Sequence, residues 1–448
     1  MSASLLEPGP IQDPSSVDER RAMVAAERRK SRLFRLWIGT GIFFMVLPGT
    51  ILGFTNLLAI SAHHGFQGLS PAWIQAHGHS QVFGWIGSFV LGIGFYSQPR
   101  TRANQGNLPF VCWTFWATGL VLHWLAGAYE WQWRITLPLS GLFELAAILL
   151  FIYAARQHKL PGPSATPGAP RPRPRIEPWM QTVLVSNAGL FVAVALTFGL
   201  GLCLSAQGIT PGIPHDFDQR YLALLCWGFL APLVWGFSAR WLPIFLGVDP
   251  VRGRLLQFAV AVDVLAVILG LAGQALSSML LATVAAICAA TAIRVFSSSK
   301  RPPKTLGVHG SFPVFLRIAY AWSIFASLLS VTAALFDVHG GIWGGSRHAL
   351  TVGFAAMMVM TVGPRILPHF AGVRSLWSSQ LMFVTLLLLV TGCTLRVSME
   401  PLAYEGVAAF AWKVLPISGF LELGAVLLFA LQLIMTFLRA PSIFPEIA

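Results

Sequence analysis

The side chains with the clearest chemical potential in this sequence are histidines at the starts of two apolar segments. His77 and His79 begin the segment HGHSQVFGWIGSFVLGIGF, and His348 begins HALTVGFAAMMVMTVG. His79 and His348 each precede a glycine by five residues, Gly84 and Gly353. This equal spacing predicts that the two imidazoles lie at the same depth on related helices. Two neutral imidazoles facing each other are what six-coordinate haem iron requires, so the pattern predicts that His79 and His348 are axial ligands.

His77 cannot share a helical face with His79, because two residues of an α-helix are separated by about 200° of rotation. His77 would then serve a second metal or haem, or would simply meet the headgroup region. A copper site built from histidines is chemically reasonable, and the sequence leaves open which of them converge. The candidate partners on the same predicted side of the membrane are His63, His64, His123, His215 and His339.

Further polar residues lie inside or beside apolar segments. Glu144 and Glu422 each lie about two turns into a segment, and buried acids usually mark proton or ion paths. The alternative is that each makes a hydrogen bond between helices. Arg347 and Arg396 are candidates to pair with a haem propionate, because a guanidinium binds carboxylates bidentately. Snorkelling at the interface is the other interpretation of these arginines.

The composition indicates that a membrane positions these residues. The chain has 448 residues, of which 55% are hydrophobic and only 10% are charged, and its mean hydropathy is +0.69. Soluble chains carry about a quarter charged residues. A span needs roughly 20 apolar residues, and long continuous apolar runs favour helices over barrel strands. The sequence therefore predicts an all-α integral membrane protein with twelve transmembrane helices, at 34–60, 77–97, 108–128, 135–156, 180–206, 221–239, 255–274, 277–296, 312–336, 348–366, 378–397 and 414–438.

Loop charges orient these spans. A cluster of Arg and Lys precedes the first span, so the positive-inside rule predicts that both termini are cytoplasmic, in a bacterial inner membrane. Under this orientation most of the 30 Lys and Arg residues lie on the cytoplasmic side of the membrane. The exceptions, on the outer side, are Arg134, Arg220, Arg347, Arg396 and Lys413. The net charge of +13 then reflects orientation, and nucleic-acid binding is not expected. None of the five cysteines forms a CxxC or CxxCH motif, so disulfides, zinc knuckles and covalent c-type haem are not indicated.

Internal repeats divide the chain. The segment 228–247 aligns without gaps onto 353–372, and 137–151 aligns onto 415–429, which pairs Glu144 with Glu422. Spans two, six and ten therefore correspond, as do spans four and twelve. This predicts three parallel four-helix repeats about an axis along the membrane normal. The predicted parts are a basic cytoplasmic tail 1–33, repeat one 34–156, a Pro-rich cytoplasmic linker 157–178, repeat two 179–296, a cytoplasmic linker 297–310 and repeat three 311–440.

The strings HGHSQVFGW (77–85) and RHALTVGF (347–354) resemble signature segments of the NnrS family. That family consists of polytopic membrane proteins described as containing haem and copper and associated with the bacterial response to nitric oxide. The resemblance implies a haem of unspecified type carried by His77, His79 and His348. It also implies a small gas ligand such as nitric oxide and a role in nitric oxide metabolism or protection from nitrosative stress.

The layout is also similar to the catalytic subunit of haem–copper oxidases and nitric oxide reductases. Those proteins have twelve helices in three arcs, with a low-spin haem between helices two and ten. This sequence departs from them because spans six and seven contain no histidine, and Ser346 stands where a His-x-His motif would require histidine. The departure argues against oxygen reduction and oxidase-type proton pumping.

Three hypotheses follow from the sequence. The first is a haem-binding membrane protein that binds or turns over nitric oxide. Whether it is an enzyme stays open, since no base or nucleophile can be named, and its electron donor is unknown. The second is a transporter that depends on Glu144 and Glu422, because internal repeats and paired intramembrane acids fit that class. The third is an assembly factor that recruits a partner through the basic tail 1–33.

Overall fold

The structure, a computed structural model, describes residues 17–97, 106–156 and 176–440. Within these ranges the regular elements are helices, which form twelve continuous rods. They are α1 (17–63), α2 (71–96), α3 (Leu108–Tyr129), α4 (Trp133–Arg156), α5 (Pro178–Gln207), α6 (His215–Leu246), α7 (Gly253–Leu271), α8 (Ala275–Ile293), α9 (Phe312–Phe336), α10 (Gly341–Phe370), α11 (Ser379–Tyr404) and α12 (Ala411–Arg439).

The helices extend beyond the apolar runs that predicted them. α2 begins at Pro71, after the extended residue Ser70, whereas its apolar segment begins at His77. Proline is favoured in the first turn because its fixed φ suits a helix and its missing N–H is not needed there. α10 begins at Gly341, ahead of the apolar segment that starts at His348. These histidines therefore lie inside helices, with a turn or more of helix before them.

Eleven of the twelve helices in the described ranges are long and apolar enough to cross a membrane, so this is a multi-pass membrane protein in contact with lipid. The helix outside that group is α2, whose sequence is rich in Gly, Ser, His and Gln. Residues 82–89 of α2 are all buried. A helix that is buried on every side lies at the centre of a bundle, and there its polar residues face protein instead of lipid.

α6 and α10 are central too. In their most apolar windows 72% and 67% of the residues are buried, compared with 22% in α3. Around them, neighbours in sequence pack as helical hairpins, notably α3 with α4, α7 with α8 and α11 with α12. The end of α1 packs against α12, which brings the first and last parts of the chain together.

In the described part of the chain, four helices contain a π-helical segment: α1 at Met45–Ile51, α2 at Ser80–Gly87, α6 at Leu224–Leu230 and α10 at Ala349–Ala356. π-Helical turns are rare and are frequent at functional sites. The segments in α2 and α10 begin immediately after His79 and His348. The local widening of the helix thus falls where the sequence predicts chemistry.

The predicted tail and linkers lie partly outside the described residues. Of the tail 1–33, the described part begins α1 at residue 17, and of the Pro-rich linker only residues 176–178 are described. The loop 297–310 is not helical, and Lys300 within it forms a 2.8 Å ion pair with Asp249 of the α6–α7 connection. The hydrogen bond from Lys300 lowers the pKa of Asp249 below its usual range.

Candidate functional site

A cavity of about 370 Å³ lies among the central helices. This volume falls within the range of small-molecule and cofactor pockets, about 300–1,000 Å³. All the residues that the sequence predicted as cofactor-binding line it: His77, His79, Arg347, His348 and Arg396. Helices α2, α10 and α11 therefore bring the predicted residues together around one space.

His77 and His348 share a hydrogen-bonding pattern. His77 Nδ1 lies 2.8 Å from the carbonyl oxygen of Gly49, and His348 Nδ1 lies 3.1 Å from that of Gly344. A carbonyl oxygen only accepts, so each Nδ1 carries the proton and each neutral ring has Nε2 free as a ligand. A backbone carbonyl that fixes the tautomer and orientation of an imidazole is the usual support of a metal-ligating histidine.

The His77 ring is held against α1 by a close approach. A Cβ atom built on Gly53 would collide with the His77 ring, with its nearest ring atom being Cε1. Only glycine at position 53 leaves room for the imidazole in its present place. This contact could not be predicted from the sequence, because nothing in the α1 segment distinguishes Gly53 from the other glycines of apolar helices.

His79 has different partners. Its Nε2 lies 2.9 Å from Oε1 of Glu144, and its ring stacks on that of His123 with 3.4 Å between centroids and 4° between planes. One ligand atom from each of His79, His123 and Glu144 falls within 4.8 Å of the others, and no other group of this kind occurs among the described residues. α2, α3 and α4 therefore build a compact cluster beside the cavity that His79 and His123 line.

The two predicted arginines already have protein partners. Arg396 donates from Nε and Nη2 to the carboxylate of Glu400, at 3.0 and 3.4 Å, and both side chains are buried. Arg396 Nη1 makes no hydrogen bond. Arg347 donates to Oε1 of Gln219 and lines the cavity together with Asp218. Glu400 is a residue that sequence reasoning missed, although its spacing four residues after Arg396 on a helix was a usable signal.

The two predicted acids occupy matching positions. A Cβ on Gly119 of α3 would lie 2.7 Å from Cγ of Glu144, and a Cβ on Gly392 of α11 would lie 2.8 Å from Cγ of Glu422. Both helix pairs thus approach at a glycine that faces a glutamate. Glu144 is fully buried and bonds to His79, whereas Glu422 lines the cavity and its Oε1 has no hydrogen-bond partner.

Of the five candidate partner histidines, His123 joins the site. Within the described part of the chain the other four do not line the cavity. His64 stacks on Trp412, His63 bonds to the carbonyl of Ala59, and His215 lines a separate cavity of about 280 Å³. A signal for His123 was present in the sequence: it follows Gly119 by four residues, just as Arg396 follows Gly392.

The helices and the cavity define a class, a polytopic all-helical membrane protein with a histidine-rich site at the centre of its bundle. The particular family follows from comparison with known proteins. A family profile described as NnrS protein matches residues 33–440, nearly the whole chain, and the chain belongs to the NnrS family. No curated protein gives a match. Membership of this family indicates a membrane protein related to the nitric oxide response.

Proposed function

We propose that the protein holds a haem in its central cavity, that His77 and His348 would supply the ligands of its iron, and that the protein binds or metabolises nitric oxide in a bacterial inner membrane. The observation that carries the proposal is the pair of imidazoles on α2 and α10. Each has Nδ1 fixed by a backbone carbonyl, each has Nε2 free, and both line one cavity. Bis-histidine ligation from two helices is an established way of holding haem iron.

The chain also has groups suited to the haem propionates. Arg396 lines the cavity and keeps Nη1 free while Glu400 holds the rest of its guanidinium in place. Arg347 lines the same cavity from α10. Charge-assisted hydrogen bonds from arginine to carboxylates are strong and directional. These two side chains would therefore fix the orientation of the haem.

A bound haem supplies the iron at which nitric oxide binds or reacts. The chain supplies the rest: two ligands of fixed tautomer and cationic anchors. The electron donor and any turnover are not implied by these residues. Spans six and seven lack the histidines that the haem–copper oxidases carry there, so oxygen reduction is not part of the proposal.

The sequence predicted His79 as the partner of His348, and that pairing stays a prediction. The hydrogen bonds favour His77 instead, because Nε2 of His79 faces Glu144 while Nε2 of His77 is free. His79 would have to ligate through Nδ1 or release Glu144. The two pairings are distinguished by substituting each histidine in turn.

We also propose the predicted architecture of twelve spans in three parallel repeats with both termini in the cytoplasm. The π-helical segments support it. Those of α2 and α10 cover 80–87 and 349–356, which coincide in the repeat register, and that of α6 begins at the equivalent residue, 224. The matched glycine–glutamate contacts of the α3–α4 and α11–α12 pairs support it further.

The test is the visible spectrum of the purified full-length protein with a pyridine haemochrome assay. We expect one haem per chain, with the Soret and α bands of a low-spin centre. A colourless, iron-free preparation from haem-replete cells would overturn the proposal. It would leave the transporter hypothesis, for which the favourable observation is that Glu422 lines the cavity with an unpartnered carboxylate oxygen.

A further inference from the structure

We propose that His79, His123 and Glu144 form a binding site for one divalent first-row transition-metal ion, separate from the haem ligands. Resemblance to the NnrS family implies copper, and what is inferred here is the set of residues in this chain that would hold such an ion. The site goes beyond the proposed function, because none of its ligands is needed to hold haem between His77 and His348. It is built by three helices, α2, α3 and α4, and all three side chains are buried.

The first argument is the concentration of donor atoms. One imidazole nitrogen from each histidine and one carboxylate oxygen lie within 4.8 Å of one another. In a bound site, donors about 2 Å from the metal lie closer together than this. The stacked rings are parallel, whereas ligation needs their in-plane lone pairs to converge. Metal binding therefore requires at least one ring to turn about χ2, a soft torsion in histidine.

The second argument is an unsatisfied polar atom. Oε2 of Glu144 makes no hydrogen bond although the side chain is fully buried. A buried carboxylate without compensation is costly in the membrane interior, and such groups are paired or coordinate metals. No arginine or lysine forms an ion pair with Glu144 among the described residues, where its partner is His79. A buried carboxyl group keeps its proton unless a cation takes its place, and a divalent ion bound to Glu144 would do so.

The third argument is the support of the second imidazole. Ser140 Oγ donates to the carbonyl oxygen of Leu137 at 2.7 Å, and the same Oγ lies 3.4 Å from Nδ1 of His123. Because the hydroxyl proton of Ser140 is already donated to Leu137, the hydroxyl oxygen accepts from Nδ1–H of His123. This leaves Nε2 of His123 as the ligand atom. This is the outer-shell support expected around a metal-binding histidine.

The chemistry of the donors narrows the ion. Two imidazoles and one carboxylate suit Zn²⁺, Cu²⁺ or Fe²⁺, whereas Mg²⁺ and Ca²⁺ prefer oxygen ligands alone. Among divalent ions the Irving–Williams order places Cu²⁺ highest for such a set. Three protein ligands leave a coordination position open. His79 and His123 line the central cavity, so the open position would be reached from that side.

Helices α9–α12 provide an internal comparison with α1–α4. At the positions that match His79, His123 and Glu144 these helices carry His348, Arg396 and Glu422. An arginine stays protonated and has no lone pair to offer a metal. The same backbone arrangement, with Gly392 in place of Gly119, therefore lacks the middle ligand. The complete donor set occurs in α1–α4.

The experiment uses full-length protein in detergent, stripped of loosely bound metal with a chelator and titrated with Cu²⁺. We expect one tightly bound Cu²⁺ per chain, with an electron paramagnetic resonance spectrum showing coupling to two nitrogens. His123→Ala and Glu144→Gln should weaken binding by at least roughly tenfold, by analogy with the loss of supporting groups at metal sites. Glu422→Gln, the substitution at the matching position, should leave Cu²⁺ binding unchanged.

Haem content is measured in the same samples, which separates this proposal from the proposed function. Cu²⁺ binding that survives in a haem-free preparation supports the metal site and removes the haem. Glu144→Gln preserves shape and a hydrogen bond to His79, so it guards against a folding defect in His123→Ala. Wild-type protein that binds no stoichiometric Cu²⁺, or a Glu144→Gln variant that binds it with unchanged affinity, would overturn the site.

Discussion

The α1–α4 and α9–α12 groups share a framework but use it differently. In both, a histidine precedes a π-helical segment, and a glycine on the next helix contacts a glutamate on the one after. In the first group, the residue four positions after the glycine is His123, which joins His79 and Glu144 in a cluster of donors. In the second it is Arg396, which forms a buried ion pair with Glu400. The difference between histidine and arginine at this matching position would separate the proposed cation site from a site suited to anionic groups.

The difference teaches that the repeat sets positions, while the side chains at those positions set the chemistry. His123 and Arg396 follow equivalent glycines, and both side chains line the same cavity. An imidazole there offers a lone pair to a metal, and a guanidinium offers protons to a carboxylate. Two predictions sharpen this comparison and a third tests a loop outside both groups, in order from the largest expected effect to the smallest.

The largest effect on stability is expected from Arg396→Ala. Glu400 is 5% exposed and would lose its arginine, which would leave Nδ1 of His348, 3.5 Å from Oε2, as its remaining neighbour. Breaking a buried ion pair in this way costs about 3–5 kcal/mol. His123→Ala, at the matching position, removes no ion and should cost less. Unfolding of both variants in detergent by chemical denaturation measures the difference, and equal stability of the two would break the comparison.

A smaller and equal effect is expected from Gly119→Ala and Gly392→Ala. The added methyl would lie 2.7 Å from Cγ of Glu144 or 2.8 Å from Cγ of Glu422, so each helix pair must shift. Such overpacking costs about 1–3 kcal/mol. Cu²⁺ affinity should fall in Gly119→Ala alone, because only that glutamate is a proposed ligand. Gly199→Ala, which meets nothing within 4 Å, is the control for the substitution itself.

Loss of Cu²⁺ affinity in Gly392→Ala as well would contradict the separation of the two groups. Equal Cu²⁺ affinity in wild type and Gly119→Ala, despite a loss of stability in that variant, would show that the position of Glu144 does not matter to metal binding.

The smallest effect is expected from Asp249→Asn, in the loop between α6 and α7, far from either cluster in sequence. Its pKa is lowered by the hydrogen bond from Lys300, so the folded state binds this proton less readily than the unfolded chain. Its contribution is present at neutral pH and is lost as the pH falls through the lowered pKa. The thermal midpoints of wild type and Asp249→Asn should differ slightly at pH 7 and converge in acid. A difference that grows in acid would contradict this sign.

The sequence predicted much of this arrangement. Apolar runs located the helices, and the repeat located Glu144 and Glu422 at matching positions. The motifs on α2 and α10 identified the histidines that line one cavity. The sequence could not decide between His77 and His79 as the haem ligand, because the relevant hydrogen bonds join these rings to Gly49 on α1 and Glu144 on α4. Contacts between distant helices are set by packing, which periodicity does not encode. His123 could have been predicted from the sequence, because it follows Gly119 at the same spacing at which Arg396 follows Gly392.

The central claim is tested most directly by the haem content of three matched single variants, His77→Ala, His79→Ala and His348→Ala, with His64→Ala as the control. His64 stacks on Trp412 and does not line the cavity described here. The account predicts that His77→Ala and His348→Ala lose the low-spin spectrum, while His79→Ala and His64→Ala keep one haem per chain. Full haem content in His77→Ala, together with its loss in His79→Ala, would contradict the assignment.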